Sequence, residues 1–403
     1  MKKILFFSFF SFVFYVGFSQ EIQLSPQAEI SIITVAPGKS LNDTWGHSAI
    51  RILDSENAVD YVYNYGMYNF NTPNFYTKFM RGQLLYDLAS YPFHYFLEGY
   101  SQDNREIKEQ VLQLTQQQKQ QYLNFLENNA KPENKSYLYD FFFDNCATRL
   151  RDVNTEVLGE IVNYNDTKLQ HNFTFRDLIY QKLDNHPWGK FGIDLALGSV
   201  IDNKATAKEY TFLPEYTFNS FENAVLLNDG QESPLVKETH ILYQQKEEQI
   251  KQSFFTPLFF FSLLAILIIG ITYRDYKKNK RTKIIDFLLF FSTGLAGLLV
   301  LLLWFATDHT ATADNYNVFW VVAPNIIVAF FLLKDNLPTW LKKYVLVLIG
   351  LLVLTVILWL LKIQVFSLGI IPILILLTVR YLLLFVFRES AKGVTNNLKT
   401  KIN

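Results

Sequence analysis

Hydrophobic positions are distributed unevenly along the chain, and their spacing changes character twice. Residues 1–20, MKKILFFSFFSFVFYVGFSQ, are two lysines ahead of an apolar run, and the stretch from about 20 to 252 is mixed and polar. After it come five apolar runs: Phe254 to Tyr273, Ile284 to Thr307, Val318 to Leu333, Tyr344 to Leu361 and Val365 to Phe387. Most are long enough to cross a hydrocarbon core of about 30 Å as helices, whose backbone polar groups are satisfied internally. The third is the shortest and Pro324 interrupts it. The mixed stretch reads differently. EISIITVAP and SAIRILD alternate β-branched residues as strands do, and AVDYVYNYGMYNF reads as a strand with an aromatic face. Asn104 to Asn129 is helix-like, another helix starts at Cys146 and runs to Leu158, and short helical patches alternate with turns at Pro187-Trp188-Gly189, Leu213-Pro214 and Asp229-Gly230. The pattern predicts an α+β domain followed by an all-α bundle of five transmembrane helices.

Charge fixes the orientation of that bundle. The loop after the first run, RDYKKNKRTK, holds six basic residues, and Lys334, Lys342 and Lys343 follow the third run. Arg388, Lys392, Lys399 and Lys401 follow the fifth, whereas TDHTATADNYN between the second and third has no lysine or arginine. Positive loops stay on the cytoplasmic side. The mixed domain is therefore expected outside and the C-terminus inside. The N-terminal run fits this: it is short for a span of about 20 residues, and Gly17 and Ser19 occupy the small-residue positions of a cleavage site. The expected organisation is a signal peptide over 1–19, an exported periplasmic domain over 20–252, five transmembrane helices over 253–388 and a cytoplasmic tail over 389–403. This describes a multi-pass protein of the cytoplasmic (inner) membrane. The formal net charge of zero is a sum over these unlike parts and says little about partners.

Export also makes the single cysteine of the chain, Cys146, informative. In a compartment where disulfides persist it has no intramolecular partner, which favours retention for reactivity. In Asp144-Asn145-Cys146-Ala147-Thr148-Arg149-Leu150 the Asp and Asn are good helix caps, placing Cys146 in a first turn. There the unpaired N–H groups and the positive dipole end favour thiolate and can hold the oxyanion formed when a carbonyl is attacked. A base is then required, and six histidines exist. A single histidine is ordinarily structural, and His94, His171, His186 and His240 have no distinguishing context. His47 has one: Trp45 and Gly46 precede it, Ser48 follows, and it stands at the mouth of a strand. Asn64, in Tyr-Asn-Tyr-Gly, is a neutral residue able to orient an imidazole, or else to brace the turn before Gly66. Cys146, His47 and Asn64 are the candidate catalytic residues. Trp45, Ser48, Asn145 and Arg149 are candidates for substrate or oxyanion contacts. There is no HExxH, no paired Cys-x-x-Cys and no close histidine cluster, so no metal is expected. No cofactor and no nucleic acid is indicated, since the exported part has neither a phosphate-cradling glycine loop nor a basic patch.

The motifs WGHSAIRI, DYVYNYG and YDFFFDNCATRL together resemble the periplasmic domain of the Lnb-type lipoprotein N-acyltransferases, formerly a domain of unknown function. That domain is similar to permuted papain-like thiol folds, in which histidine precedes cysteine. The five runs resemble the membrane region of the same family, including a DH..T..N.N motif at Asp308, His309, Thr312, Asn315 and Asn317. The resemblance implies transfer of an acyl chain from the diacylglyceryl group of a lipoprotein to its own N-terminal amine. Cys146 is then the nucleophile and His47 the general base and acid. Asp308, His309 and Asn315 are candidates to line the floor of the site, or alternatively belong to a solvated loop with a helix start capped at Asn315 or Asn317. The implied partners are a lipoprotein or phospholipid substrate and the bilayer. Two other readings remain open from the residues: a papain-like cysteine hydrolase acting as lipase or cell-wall peptidase, and a membrane-anchored binding or sensor protein without catalysis.

Overall fold

A computed structural model describes residues 22–168, 171–228, 230–247 and 254–387. The expected signal peptide and cytoplasmic tail lie outside the described residues. Among the described residues there are ten strands: β1 (Glu29–Val35), β2 (His47–Asp54), β3 (Val59–Met67), β4 (Leu85–Pro92), β5 (Ile107–Leu112), β6 (Ser136–Leu138), β7 (Val162–Asn163), β8 (Val225–Asn228), β9 (Gln231–Pro234) and β10 (Val236–Tyr243). Among them run the helices α1 (Phe75–Arg81), α2 (Phe93–Gln102), α3 (Gln116–Asn129), α4 (Cys146–Leu158), α5 (Phe175–Tyr180), α6 (Pro187–Ala196) and α7 (Pro214–Glu222). The main sheet is antiparallel in the order β10-β5-β1-β2-β3-β4-β6, and β7-β8-β9 form a small second sheet. Alternation along the central strands feeds both faces. Ile30, Ile32, Ile50, Ile52, Tyr63 and Tyr65 pack on one side with Tyr122, Leu126, Leu150 and Val153 from α3 and α4. Ile33, Val35, Ala49 and Val62 pack on the other with Phe93 and Phe96 of α2.

One expected helix divides. Over 104–129 the chain first forms β5, in the interior of the sheet between β1 and β10, and only then α3. Thr115 starts that helix, accepting the Gln118 N–H while Gln118 Oε1 accepts the Thr115 N–H at 2.8 Å. The spacing of Ile107, Val111 and Leu114 suits a helix, but pairing with two distant strands overrides it. The Pro187 and Pro214 turns open α6 and α7, each with proline in the first turn, where its missing N–H costs nothing.

The C-terminal region contains α8 (Pro257–Lys278), α9 (Lys283–Phe305), α10 (Asn325–Leu332), α11 (Leu341–Leu360) and α12 (Ile370–Val386). Three of these, α8, α9 and α11, are long and apolar enough to cross a membrane, and α12 is apolar with 17 residues. The third expected span is not a continuous helix. Only the eight residues of α10 are α-helical there, after a single 3-10 turn at Tyr316–Phe319 and an irregular stretch through Pro324. Eight residues rise about 12 Å, well short of a bilayer core. The broken backbone and the first turn of α10 lie directly on α9: a Cβ on Gly297 would stand 2.0 Å from the Val321 oxygen, and one on Gly294 2.3 Å from the Ile326 nitrogen. Irregular backbone at membrane depth is thus covered by protein, the condition under which it is tolerated.

The loop between α9 and that 3-10 turn ties the helices to the α+β domain. Asp308 donates its N–H to the Arg81 carbonyl (2.8 Å) and accepts from Gln83 Nε2 (2.7 Å), while His309 Nε2 lies 3.2 Å from the Phe79 carbonyl. Thr310 donates to Asp140 at 2.7 Å. Gly198 and Ser199 donate their N–H groups to Ala311 and Asp314, and a Cβ on Gly198 would fall 1.7 Å from the Ala313 oxygen. Asn315 Nδ2 donates to the Leu195 and Ala196 carbonyls at the end of α6, and Asn317 Nδ2 to the Asp194 carbonyl.

Candidate functional site

The cysteine is placed by a chain of local bonds. In YDFFFD, Asp140 and Asp144 exchange backbone hydrogen bonds, and Asp140 Oδ1 accepts from the N–H groups of Phe142 and Phe143. This tight turn delivers Asn145 to the start of α4. There its Oδ1 accepts from the N–H groups of Ala147 (2.8 Å) and Thr148 (3.0 Å), and Cys146 follows as the first helical residue. His47 is the first residue of β2, so the starts of α4 and β2 meet at one end of the sheet. Gly46 makes that start possible. Its φ is +92°, and a Cβ there would lie 2.7 Å from the Val35 carbonyl oxygen.

His47 stands beside Cys146, close enough for each to shift the other's titration, and through Nε2 hydrogen-bonds Asn64 Oδ1 at 2.6 Å on its other side. With Nε2 committed to Asn64, Nδ1 is the nitrogen left to face the sulfur. The β2–β3 register, with Ile50 opposite Tyr63, brings Asn64 beside the start of β2. Asn64 is itself held by donating Nδ2 to the Tyr91 hydroxyl at 2.9 Å. The ring stacks on Tyr100 with centroids 5.9 Å apart. Burial works against the Cys146 thiolate, but the adjacent imidazolium, its hydrogen bond and the backbone N–H groups of Ser48 and Cys146 outweigh it, so the thiol lies below its ordinary value. Burial likewise lowers His47, yet the thiolate and the Cys146 and Asn64 hydrogen bonds more than compensate against Arg105, and the imidazole lies above its ordinary value. Each shift favours a thiolate–imidazolium pair.

The pair opens into a cavity of about 430 Å³. Trp45, Tyr68, Phe70, Phe75, Tyr76, Phe79, Tyr86, Tyr139, Phe141 and Phe212 supply most of its wall, together with Gly46, Gly66 and Pro214. Tyr86 and Tyr139 stack with centroids 4.3 Å apart, and Trp45 meets the edge of Phe141 at 4.9 Å. Polar atoms are few, so the cavity suits an apolar chain whose reactive carbonyl reaches Cys146. A larger cleft of about 1180 Å³, lined by Lys39, Glu106, Lys182, Asp184 and His186 among others, lies apart from the thiol and holds no nucleophile aligned with a base.

The other expected site residues fall elsewhere or act differently. Trp45 lines the cavity, with its Nε1 donated to the Ile179 carbonyl. Ser48 turns its hydroxyl into the protein, fully buried, and offers the sulfur only its N–H. Asn145 spends Oδ1 on the helix cap and Nδ2 on the Phe141 and Phe212 carbonyls, leaving nothing for a substrate. Arg149 forms a bidentate pair with Asp144 and covers the Tyr137 ring at 4.2 Å, outside the cavity. Asp308 and His309 clasp α1, and Asn315 is fully buried against α6. Asn315 also accepts the Asn317 N–H at 3.1 Å, capping the 3-10 turn. These three residues fasten the two regions and do not line the cavity. Apart from Trp45, the aromatic wall carries no motif of its own in the sequence, nor does Tyr91; the density of Tyr and Phe over 68–79 and 137–143 is the signal that marks the wall. No group of His, Cys, Asp and Glu able to hold a metal occurs among the described residues.

Two family models match the chain. The Lnb N-terminal periplasmic domain covers residues 19–181 and the Lnb transmembrane domain covers 249–392. No curated protein and no solved structure matches it. The two matched segments span most of the chain in the family's order, and they include His47, Asn64 and Cys146 in the first and the clasping loop in the second: the chain belongs to the Lnb family.

Proposed function

We propose that this Lnb-type, membrane-anchored, lipoprotein-modifying enzyme is a thioester-forming N-acyltransferase. In this reading the domain over 20–252 works in the periplasm, the helices over 253–388 hold it at the outer face of the inner membrane, and the tail stays in the cytoplasm. The Cys146 thiolate attacks the carbonyl carbon of a lipoprotein diacylglyceryl ester. The N–H groups of Ser48 and Cys146, which help to lower the thiol, stabilise the resulting oxyanion in this reading. Collapse expels the glyceryl oxygen, which takes the His47 proton and leaves as a lyso-type lipid. The acyl group remains on sulfur as a thioester. The lipoprotein's N-terminal amine then attacks it, His47 accepts the amine proton, and the thiolate is released. One ester and one amine have become one alcohol and one amide, with no cofactor consumed.

The observation carrying this reading is the Cys146–His47–Asn64 array at the end of an aromatic cavity. A cavity so apolar favours an acyl chain over a peptidoglycan stem, whose polar groups would be left unpaired there. The test is mass spectrometry of lipoprotein N-terminal peptides from cells carrying this chain or its Cys146→Ala variant. N-acylated lyso peptides that depend on Cys146 are expected. Release of free fatty acid without amide would instead make the protein a lipase.

A further inference from the structure

The short helix α1 presents an apolar surface that water does not suit. Tyr76 is 72% exposed, Phe70 just before the helix 65%, Met80 60% and Phe79 52%. Phe70, Tyr76 and Phe79 also line the cavity that holds Cys146, so one aromatic layer faces inward to the site and outward to the surroundings. The position of that layer is set by the membrane helices. Arg81 accepts from the Asp308 N–H, three residues beyond Phe305 where α9 ends. Three residues of chain reach about 10 Å at most, close to the thickness of one headgroup layer, roughly 5–8 Å. Trp304 and Phe305 at that helix end stack at 4.6 Å, with Phe305 turned outward, as an interfacial aromatic belt requires. Lys78 and Arg81 in α1 add positive charge suited to lipid phosphate.

From this placement we propose that α1 is an interfacial flap, with Tyr76, Phe79 and Met80 immersed in outer-leaflet lipid, and that the cavity opens sideways into the leaflet past it. The bonds from Asp308 and His309 to Arg81, Gln83 and Phe79 set its depth. Gly82 suits the close approach: its φ is +70°, strained for any residue with a side chain, and a Cβ there would stand 3.1 Å from the His309 backbone nitrogen, a tight contact. An ester at glycerol level would then reach Cys146 without leaving the bilayer. The opening rests on the acyl-transfer reading, whereas the immersion of α1 does not.

The test uses the full chain in phosphatidylcholine–phosphatidylglycerol vesicles. Cys146→Ser removes the chain's single cysteine, and Met80→Cys or, separately, Tyr76→Cys is labelled with an environment-sensitive fluorophore. Ser55→Cys, beyond the far end of β2, serves as control. Lipids brominated near the carbonyl should quench both flap labels and leave the control bright, and aqueous iodide should do the reverse. Iodide quenching of the flap labels to the level of the control overturns the immersion. With Cys146 restored, Met80→Asp should raise the apparent KM for a vesicle-borne ester and leave the reaction of Cys146 with a water-soluble thiol reagent unchanged. An unchanged KM overturns the sideways opening. Absence of any ester turnover by the unaltered chain, with the quenching intact, instead removes the acyl-transfer reading and leaves α1 in the leaflet.

Discussion

Cys146 and His47 gain their chemistry from where they stand in their elements, each the first residue of one. The thiol is held below and the imidazole above its ordinary value, and both shifts favour the charged pair. The rate profile follows with its sign. Activity rises on the acid side as the thiol ionises, at a pH below its ordinary 9.0, and falls on the alkaline side as the imidazolium loses its proton, at a pH above 6.5. Asn64 accepts from the protonated ring and so helps to keep it charged. Asn64→Ala should therefore move the alkaline limb to lower pH, which a pH series of kcat/KM will read. His47→Ala should lower kcat by about 10²- to 10⁴-fold, the usual worth of a positioned acid and base, with the fold unchanged by circular dichroism. Both residues are candidates from the sequence alone because their signals are local: a cap before the cysteine, a glycine before the histidine. Asn145 and Arg149 carry the same local signal, and their binding capacity is consumed by α4 itself and by Asp144. Composition around the cysteine does not separate the residue proposed to react from those that hold it.

Glycines decide several contacts between elements. Gly46 turns the chain into β2, and Gly46→Ala places a Cβ against the Val35 oxygen at a positive φ. A loss of about 1–3 kcal/mol follows from strain of that kind, measurable as a lower thermal midpoint with loss of His47 alignment and hence of rate. In the membrane, Gly297 of α9 receives the broken backbone before α10, and Gly294 receives the first turn of α10. Gly297→Val should separate the two and expose unsatisfied carbonyls, lowering the midpoint of detergent-solubilised protein, whereas a valine at Gly350, where nothing lies within 4 Å, should not. The apolar run from 318 to 333 disclosed that a segment passes through the membrane region, and Pro324 marked a weakness. The form of the break depends on α9, distant in sequence, and could not be read. The same holds for β5, whose spacing looks helical until β1 and β10 flank it.

At the scale of the whole molecule, two clusters hold the parts in register. At one end of the bundle Arg380, fully buried, donates to Asp286 (2.5 Å), Asp275 (2.9 Å) and the Thr282 carbonyl, and Arg281 joins Asp286 to the Leu332 carbonyl. This network unites α8, α9, α10 and α12. Arg380→Leu leaves Asp286 with Arg281 alone and Asp275 with Arg274 and Thr282, and should cost about 1.5–3 kcal/mol, the worth of a hydrogen bond to a charged group, seen as a drop in thermal midpoint. At the other end the loop from Asp308 to Asn317 clasps α1, the turn before Cys146 and α6. Its lack of positive charge and its polar motif were visible in the sequence, but they suggested a substrate floor or a solvated loop. Its polar groups instead find partners on the α+β domain, an assignment that only the folded arrangement of two regions makes possible. The overall plan of an α+β domain followed by apolar helices was legible because both periodicities are strong and sustained. Acyl transfer through the Cys146 sulfur is the step on which the proposed chemistry stands. Its sharpest check is intact-mass spectrometry of the full chain, quenched within its first turnover on a diacylglyceryl lipopeptide whose amine is blocked. One added acyl mass is expected, located on Cys146 and removed by hydroxylamine. Absence of any acyl adduct on the native chain, together with amide formation by Cys146→Ala at the unaltered rate on the same lipopeptide with its amine free, would contradict it.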